Sequence, residues 1–238
     1  MTQQCHAYRE VFGDDAANGS IYIECELPED HGGEDRAAQR IPLQAKANGQ
    51  TKVCLVGFVP TYWRTVPWKD ESWERWGCNG LYRLAPVSRF TRWFELHAKG
   101  KDLGQRGWRE PQDELLAISE RMPLYLTRKE REIPKGVPYP LKDVEKLTPW
   151  GAYHAGSFDY MLALAILLGF KEIRVTGVDF QSGGEPLSAR PCLEYWLGVA
   201  MGRGITVSVE AGDVGRIFRL VRSDEQYGFD PFRLVEDR

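Results

Sequence analysis

The chain has 238 residues, 42% hydrophobic and 27% charged, with a formal net charge of -3. That composition suits one large domain, or one domain with attachments, and excludes a disordered chain. The balance of charge excludes a protein that coats nucleic acid through bulk charge, and no apolar run reaches the roughly 18 residues of a membrane span.

The first residues, MTQQCHAYREVFGDD, carry neither a basic start nor an apolar core, so no secretory signal is expected. Cys5, Cys25, Cys54, Cys78 and Cys192 are odd in number and scattered, without CxxC or Cys/His ligand spacing. No structural zinc site is expected. A reducing, cytoplasmic setting is expected (the host cytoplasm if the chain is viral).

In chain order, HAYREVF and SIYIECEL read as two strands around the turn-rich GDDAANG, a hairpin, followed by the polar loop PEDHGGEDRAAQR. Residues 1–50 are therefore an accessory, β-rich segment. The core is expected to open at Lys52, with Val53 to Val56 as a buried strand and Gly57-Phe58-Val59-Pro60-Thr61 as its turn. Strands are expected at Trp73 to Cys78, Arg92 to Leu96 and Leu124 to Thr127. A helix over Gln112 to Arg121 is introduced by Pro111, with acids in its first turn. Residues 99–111 form a basic, Gly-rich loop, and 128–150, with Pro134, Pro138, Pro140 and Pro149, a long loop or lid.

Residues 154–168 predict a helix apolar on nearly every face, ended by Gly169 as a C′ glycine. Ile173 to Val178 predicts a central parallel strand, Pro191 to Met201 a last helix, and Ile205 to Val209 a last strand. The tail, 211–238, is expected to pack on the core and to include a strand over Ile217 to Val221. Strands alternating with helices argue for an α/β, Rossmann-like, mostly parallel sheet with helices on both faces, spanning 51–210 as a nucleotide-binding domain.

Candidate residues gather at the C-terminal ends of these strands, where ligands of open α/β sheets collect. Gly57 lets the backbone approach a ligand, and a helix following Pro60 and Thr61 would favour a phosphate; the turn is neither GxGxxG nor a Walker A loop. Asn79 offers donors and an acceptor to a ribose, base or sugar, although Asn-Gly is also a common turn pair. In Arg92-Trp93-Phe94-Glu95-Leu96-His97, alternation sets Arg92, Phe94 and Leu96 on one face and Trp93, Glu95 and His97 on the other.

His97 can serve as a base or as a structural histidine, with Glu95 orienting it or pairing with Arg89. Gly156 and Ser157 open the apolar helix; Ser157 either caps it or, with the free N–H groups, holds a phosphate or base. His154 is the other candidate for proton transfer, and Asp179 binds a hydroxyl or closes a turn. Arg190 and Glu194, four apart, form a salt bridge or place a guanidinium on a phosphate. The basic loops (Lys99, Lys101, Arg106, Arg109; Arg128, Lys129, Arg131, Lys135) are solvated surface or guide an anionic acceptor, nucleic acid included.

The Gly57 strand end with its Pro60-Thr61 turn, the strand end at Asn79, and the block GSFDYMLALAILLGFKEIRVTGVDF (156–180) resemble the bacterial lipooligosaccharide sialyltransferases of Rossmann-like fold. The same skeleton is similar to the archaeal-type hydroxymethylpterin diphosphokinases. It also looks like small bacteriophage proteins that share an RWFELH-like strand (92–97) and an ARPCLEYWLGVAMGRGI-like end (189–205).

The resemblance implies a CMP- or UDP-type nucleotide-sugar donor held by Gly57, Pro60, Thr61, Asn79, Gly156 and Ser157. It also implies transfer to a hydroxyl acceptor, a modified viral DNA base included, with no metal or further cofactor required. Phe58-Val59 stands where the sialyltransferases place Gly before Pro-Ser, and no histidine follows His154, whereas theirs lies beyond the Gly-x-Asp strand. On this reading His97, His154 or Asp179 supplies the base, and Arg190 and Arg92 stabilise the departing phosphate. Two other classes stay open: a magnesium-dependent pyrophosphokinase using Asp179 and Glu185, and a phage protein that sequesters a signalling nucleotide. A homo-oligomer and a membrane-free life fit all three.

Overall fold

The structure, a computed structural model, describes residues 49–97, 109–178, 180, 189–210 and 217, together with strands β1 (Tyr8–Glu10) and β2 (Ile23–Cys25). The chain divides into two compact units, Met1–Gly49 and Gln50–Arg238. In the first, β1 and β2 pair antiparallel, Tyr8 opposite Cys25, where the hairpin is expected. The rest of residues 1–48 and the expected strand over 217–221, apart from Ile217, a buried turn residue, lie outside the described residues.

The second unit is an α/β fold built on one sheet of seven strands, all parallel. The strands are β3 (Lys52–Val56), β4 (Trp73–Cys78), β5 (Arg92–Glu95), β6 (Leu124–Leu126), β7 (Val137–Pro138), β8 (Glu172–Thr176) and β9 (Thr206–Glu210). Their order is β7-β6-β5-β4-β3-β8-β9. The chain therefore steps outward from β3 in one direction, returns to β8 on the other flank of β3, and ends at β9. The reversal between β3 and β8 is the switch point of a doubly wound sheet. Strand pairs run closely in register, Val53 beside Glu74 and Ile173, and Cys78 beside Phe94.

Alternation sends the two faces of each strand into separate cores. On one face Val53, Leu55, Trp76, Phe94, Ile173 and Val175 pack under α3 (Ser157–Leu167) and α4 (Arg190–Gly202). On the other, Cys54, Val56, Trp73, Trp93 and Leu124 pack with Leu115 and Ile118 of α1 (Gln112–Arg121). Cys54 sits in the second core, Cys78 in the first, and Cys192 on α4; all three are buried, and burial pushes the Cys54 thiol up to about 12. Among the described residues no helix is long and apolar enough to cross a membrane.

Helix α3 is buried over Met161–Ile166, because β3, β5, α4 and α2 (Leu141–Glu145) cover its several apolar faces. It stops where Gly169 takes φ +73: the Gly169 N–H bonds to the Ile166 carbonyl (2.9 Å) and the Phe170 N–H to the Ala165 carbonyl (3.1 Å), a Schellman ending. The segment expected as a loop or lid carries β7 and α2 and is fastened to the helices. The Tyr139 hydroxyl donates to the Tyr160 carbonyl (2.8 Å) and the Tyr195 hydroxyl to Thr148 Oγ1 (2.6 Å), and just past the segment Trp196 Nε1 donates to the Tyr153 carbonyl (3.0 Å).

No α-helix follows the first strand. Residues Pro60–Thr65 form a 3-10 turn that ends at Val66, extended with ψ 127 because Pro67 follows and disfavours the helical region before it. The helix N-terminus expected to greet a phosphate there is therefore absent; the β4–β5 crossover likewise holds only 3-10 turns, and α-helices stand in the β5–β6, β7–β8 and β8–β9 connections.

Inside the first core, Glu74 and Arg92 form an ion pair with side-chain exposures of 0% and 2%. Arg92 Nε and Nη2 donate to the two Glu74 oxygens (2.6 and 3.0 Å), Trp76 Nε1 adds a third bond to Oε2 (2.6 Å), and Arg92 Nη1 donates to the Tyr125 hydroxyl (2.9 Å). Arg92 begins β5, at the opposite end of the strand from Glu95, and its guanidinium is occupied by this network. Removing one partner of such a pair strands a buried charge. Arg92→Leu is expected to lower unfolding free energy by about 3–5 kcal/mol, read by urea denaturation; a loss of ligand binding at unchanged stability would contradict the structural role.

Candidate functional site

The C-terminal edge of the sheet is shaped first by what fills it. Past the ends of β3 and β8 the backbones of Gly57 and Gly177 run against each other. The Gly57 N–H donates to the Thr176 carbonyl (2.7 Å) and the Val59 N–H to the Gly177 carbonyl (3.1 Å). A Cβ on Gly57 would overlap the Gly177 carbonyl, and Gly177 itself holds φ +76. Trp63 lies on this contact, its Nε1 donating to the Gly57 carbonyl (2.8 Å). Gly57 thus serves the approach of another strand's backbone, and its amide is spent inside the sheet. Pro60 and Thr61 stand exposed on the turn above.

One strand further along, Asn79 ends β4 in the left-handed region, φ 47. Asparagine tolerates that conformation better than most residues. Its main-chain carbonyl accepts from Trp93 Nε1 of β5 (3.2 Å), and its side-chain Nδ2 donates to Ser157 Oγ (3.3 Å). Its Oδ1 is buried and has no hydrogen-bond partner. Ser157 is the first helical residue rather than the cap: Gly156 takes the cap position, and no cap side chain bonds the first turn.

That turn is organised by Asp159, which is 1% exposed. Its Oδ2 accepts the N–H groups of Ala155 (2.7 Å) and Gly156 (3.0 Å), and Oδ1 that of Tyr160 (2.7 Å). An acid at the third helical position reaching back to the cap is the legible signal for this arrangement, and it was missed in the sequence. Gly156 abuts Ala189, so the starts of α3 and α4 lie side by side. Arg190, first in α4, donates from Nε to Glu194 Oε1 (2.8 Å), the i,i+4 pairing that the spacing allows.

At the end of the next strand, Glu95 is fully buried and His97 follows it. Glu95 Oε1 accepts both the His97 main-chain N–H (3.1 Å) and Nδ1–H (2.6 Å), and Arg109 Nη1 donates to His97 Nε2 (2.7 Å). Glu95 therefore orients His97; Arg89, the other partner weighed for it, lies over the Trp68 ring. Arg109 is carried beside Glu110, whose carboxylate accepts from the Tyr82 hydroxyl (2.9 Å) and pairs with Arg83 (2.5 Å). Burial and that carboxylate push the Tyr82 phenol up to about 12, so it stays a donor.

The other candidates fall elsewhere. The His154 side chain is 1% exposed and lies between the rings of Tyr160 (4.0 Å between centroids) and Trp196 (5.0 Å). Neither ring nitrogen has a hydrogen-bond partner, and Asp159 Oδ1 stands 3.6 Å from Nδ1. It is wedged in the core beside α3 instead of facing a substrate. Asp179 and Glu185 lie outside the described residues, as do Lys99, Lys101 and Arg106. In the second basic loop, Arg128 pairs with Glu130 and Lys129 donates to the Pro134 and Gly136 carbonyls within the loop, Lys135 pairs with Glu120 of α1, and Arg131 is exposed. Among the described residues no group of three His, Cys, Asp or Glu side chains could hold a metal ion.

No protein-family model matches the chain, and no curated protein sequence matches it significantly. Among solved structures it is similar to the monofunctional alpha-2,3-sialyltransferase Cst-I of Campylobacter jejuni, with TM-score 0.50 and 14% identity over 78% of this chain and 86% of that one. It is also similar to an apo alpha-2,3-sialyltransferase of the same organism, with TM-score 0.47 and 15% identity over 71% and 79% of the two chains. The likeness is one of fold.

His154→Phe keeps the flat ring and removes the unpartnered N–H. Stability is expected to hold or rise by about 1 kcal/mol in thermal or urea unfolding. A loss beyond about 2 kcal/mol would show that the imidazole nitrogens are bonded after all.

Proposed function

We propose that the chain is a nucleotide-sugar-dependent glycosyltransferase that binds a CMP- or UDP-type donor at the C-terminal edge of the sheet and transfers its sugar to a hydroxyl acceptor. One observation carries this reading. Asn79, held in a left-handed conformation, presents a buried and unpartnered Oδ1 next to Ser157 at the mouth of α3. A buried acceptor without a donor costs free energy unless a ligand supplies one, and such exceptions concentrate at functional sites. Support also comes from the fold shared with Cst-I and from Arg190 at the start of α4, beside the start of α3.

In this reading Asn79 and Ser157 hold the nucleoside, and Arg190 together with Arg109 holds the phosphate. His97 is the base. The acceptor hydroxyl gives its proton to His97 Nε2 and its oxygen bonds the anomeric carbon. The bond from that carbon to the donor phosphate breaks, and its electron pair leaves with the phosphate. Stabilising that developing charge is where preorganised donors act most strongly. His154 has no part in the step, given its burial. In the basic loop over 128–135, Arg128 and Lys129 are bonded within the loop and Lys135 pairs with Glu120 of α1.

A thermal-shift panel tests this. CMP, UDP and their sugar conjugates at a hundred times their dissociation constant are expected to stabilise the protein by about 2.7 kcal/mol. The stabilisation should survive a chelator, whereas a magnesium-dependent pyrophosphokinase would lose it. Asn79→Gly keeps the left-handed backbone while deleting the carboxamide, so its own stability should hold and the nucleotide shift should vanish. No shift with any pyrimidine nucleotide would refute the donor assignment.

A further inference from the structure

Two buried carboxylates on this sheet are treated differently. Glu74 has both oxygens bonded, by Arg92 and Trp76, and is a closed structural pair. Glu95, equally buried, spends Oε1 on His97 and leaves Oε2 without a partner. It stands at the end of β5 that faces Asn79, joined to it through Trp93. A carboxylate held in that way contributes little to the core and does one evident thing, which is to fix an imidazole.

The chemistry of the three groups admits one protonation pattern. An ionised carboxylate only accepts and a guanidinium only donates. With Glu95 Oε1 2.6 Å from Nδ1 and Arg109 Nη1 2.7 Å from Nε2, His97 carries its proton on Nδ1 and keeps the lone pair on Nε2. A second proton on Nε2 would set two N–H groups against each other. Arg109 therefore covers the atom that a base must use. Its guanidinium is exposed and has no carboxylate partner among the described residues. A phosphate, which takes a guanidinium through two parallel charge-assisted bonds, is a stronger partner than one neutral imidazole nitrogen. The backbone beside Arg109 stays in place meanwhile, because Glu110 is anchored to Tyr82 and Arg83.

We propose that Glu95, His97 and Arg109 form an anion-released general base: Glu95 is the positioning residue that leaves the lone pair on Nε2, and Arg109 covers it until the phosphate of a bound donor draws the guanidinium away. The base is then uncovered only when a donor is present, which limits idle proton transfer. The glycosyl-transfer reading supplies the hydroxyl whose proton Nε2 takes; the release itself is measurable without donor sugar or acceptor.

Two measurements on the full chain test it. Imidazole nitrogen NMR, with His97 assigned by its loss in His97→Gln, should show Nδ1–H alone in the free protein. Glu95→Gln should admit the Nε2–H form, because a carboxamide donates as well as accepts. Diethyl pyrocarbonate reacts with the bare nitrogen, and peptide mass spectrometry gives the rate at His97. Arg109→Ala should raise that rate about tenfold or more, since a hydrogen bond to a charged partner no longer has to be broken first. Inorganic phosphate should accelerate the unmodified chain and leave Arg109→Ala unchanged.

An Nε2–H ring in the free protein, an Arg109→Ala rate equal to the unmodified one, or indifference to phosphate would each overturn the proposal. The donor reading fails separately. If phosphate releases the ring but no pyrimidine nucleotide binds, the gate stands and the donor assignment falls. If nucleotides bind while Arg109→Ala leaves the rate untouched, the reverse holds.

Discussion

The sheet's C-terminal edge is governed by a contact between two main chains. Gly57 and Gly177 let β3 and β8 continue side by side past their last paired residues, with amides and carbonyls bonded across the gap. Side chains would hold them apart. Because the chain leaves β3 and β8 toward opposite flanks, this is where a doubly wound sheet would open. Here, among the described residues, the glycine contact and Trp63 bonded to it occupy that point. Further along the same edge, the ends of β4 and β5 carry Asn79, bonded to Ser157, and Glu95, bonded to His97.

Under α3 and α4 the sheet is stiffened by large rings and by the Glu74–Arg92 pair, toward the N-terminal ends of β4 and β5. At the other end the polar groups are incompletely bonded: Asn79 Oδ1 and Glu95 Oε2 both lack partners. A fold that satisfies its buried polar atoms at one end and leaves acceptors open at the other holds those acceptors in place without side-chain motion.

Much of the fold was legible in the sequence because the relevant signals are local. The apolar run 161–168 and Gly169 mark a covered helix and its stop, and Trp73 to Cys78 and Gln112 to Arg121 are found with the bounds that composition suggests. The turn after β3 was less legible, since Gly57 reads equally as a ligand glycine and as a packing glycine; only the position of Gly177, 120 residues away, decides. The site residues divide the same way. His97 and Glu95 sit two apart on a strand, so their partnership can be weighed from alternation alone. Arg92 looked available until Glu74, eighteen residues earlier, was brought against it in three dimensions. Arg109 was one basic residue in a basic loop, and nothing in its neighbours announces that it reaches His97.

The buried thiols have a use beyond packing. Cys54 of β3 faces the core that α1 shares, Cys78 of β4 faces the core under α3 and α4, and Cys192 lies on α4, so both faces of the sheet carry a concealed sulfur. A thiol can be alkylated only after the layer above it lifts, and the reactive thiolate is scarce at Cys54 even then until burial is relieved. Pulsed alkylation therefore reads this molecule as a set of built-in timers, reporting which face of the sheet parts from its helices first.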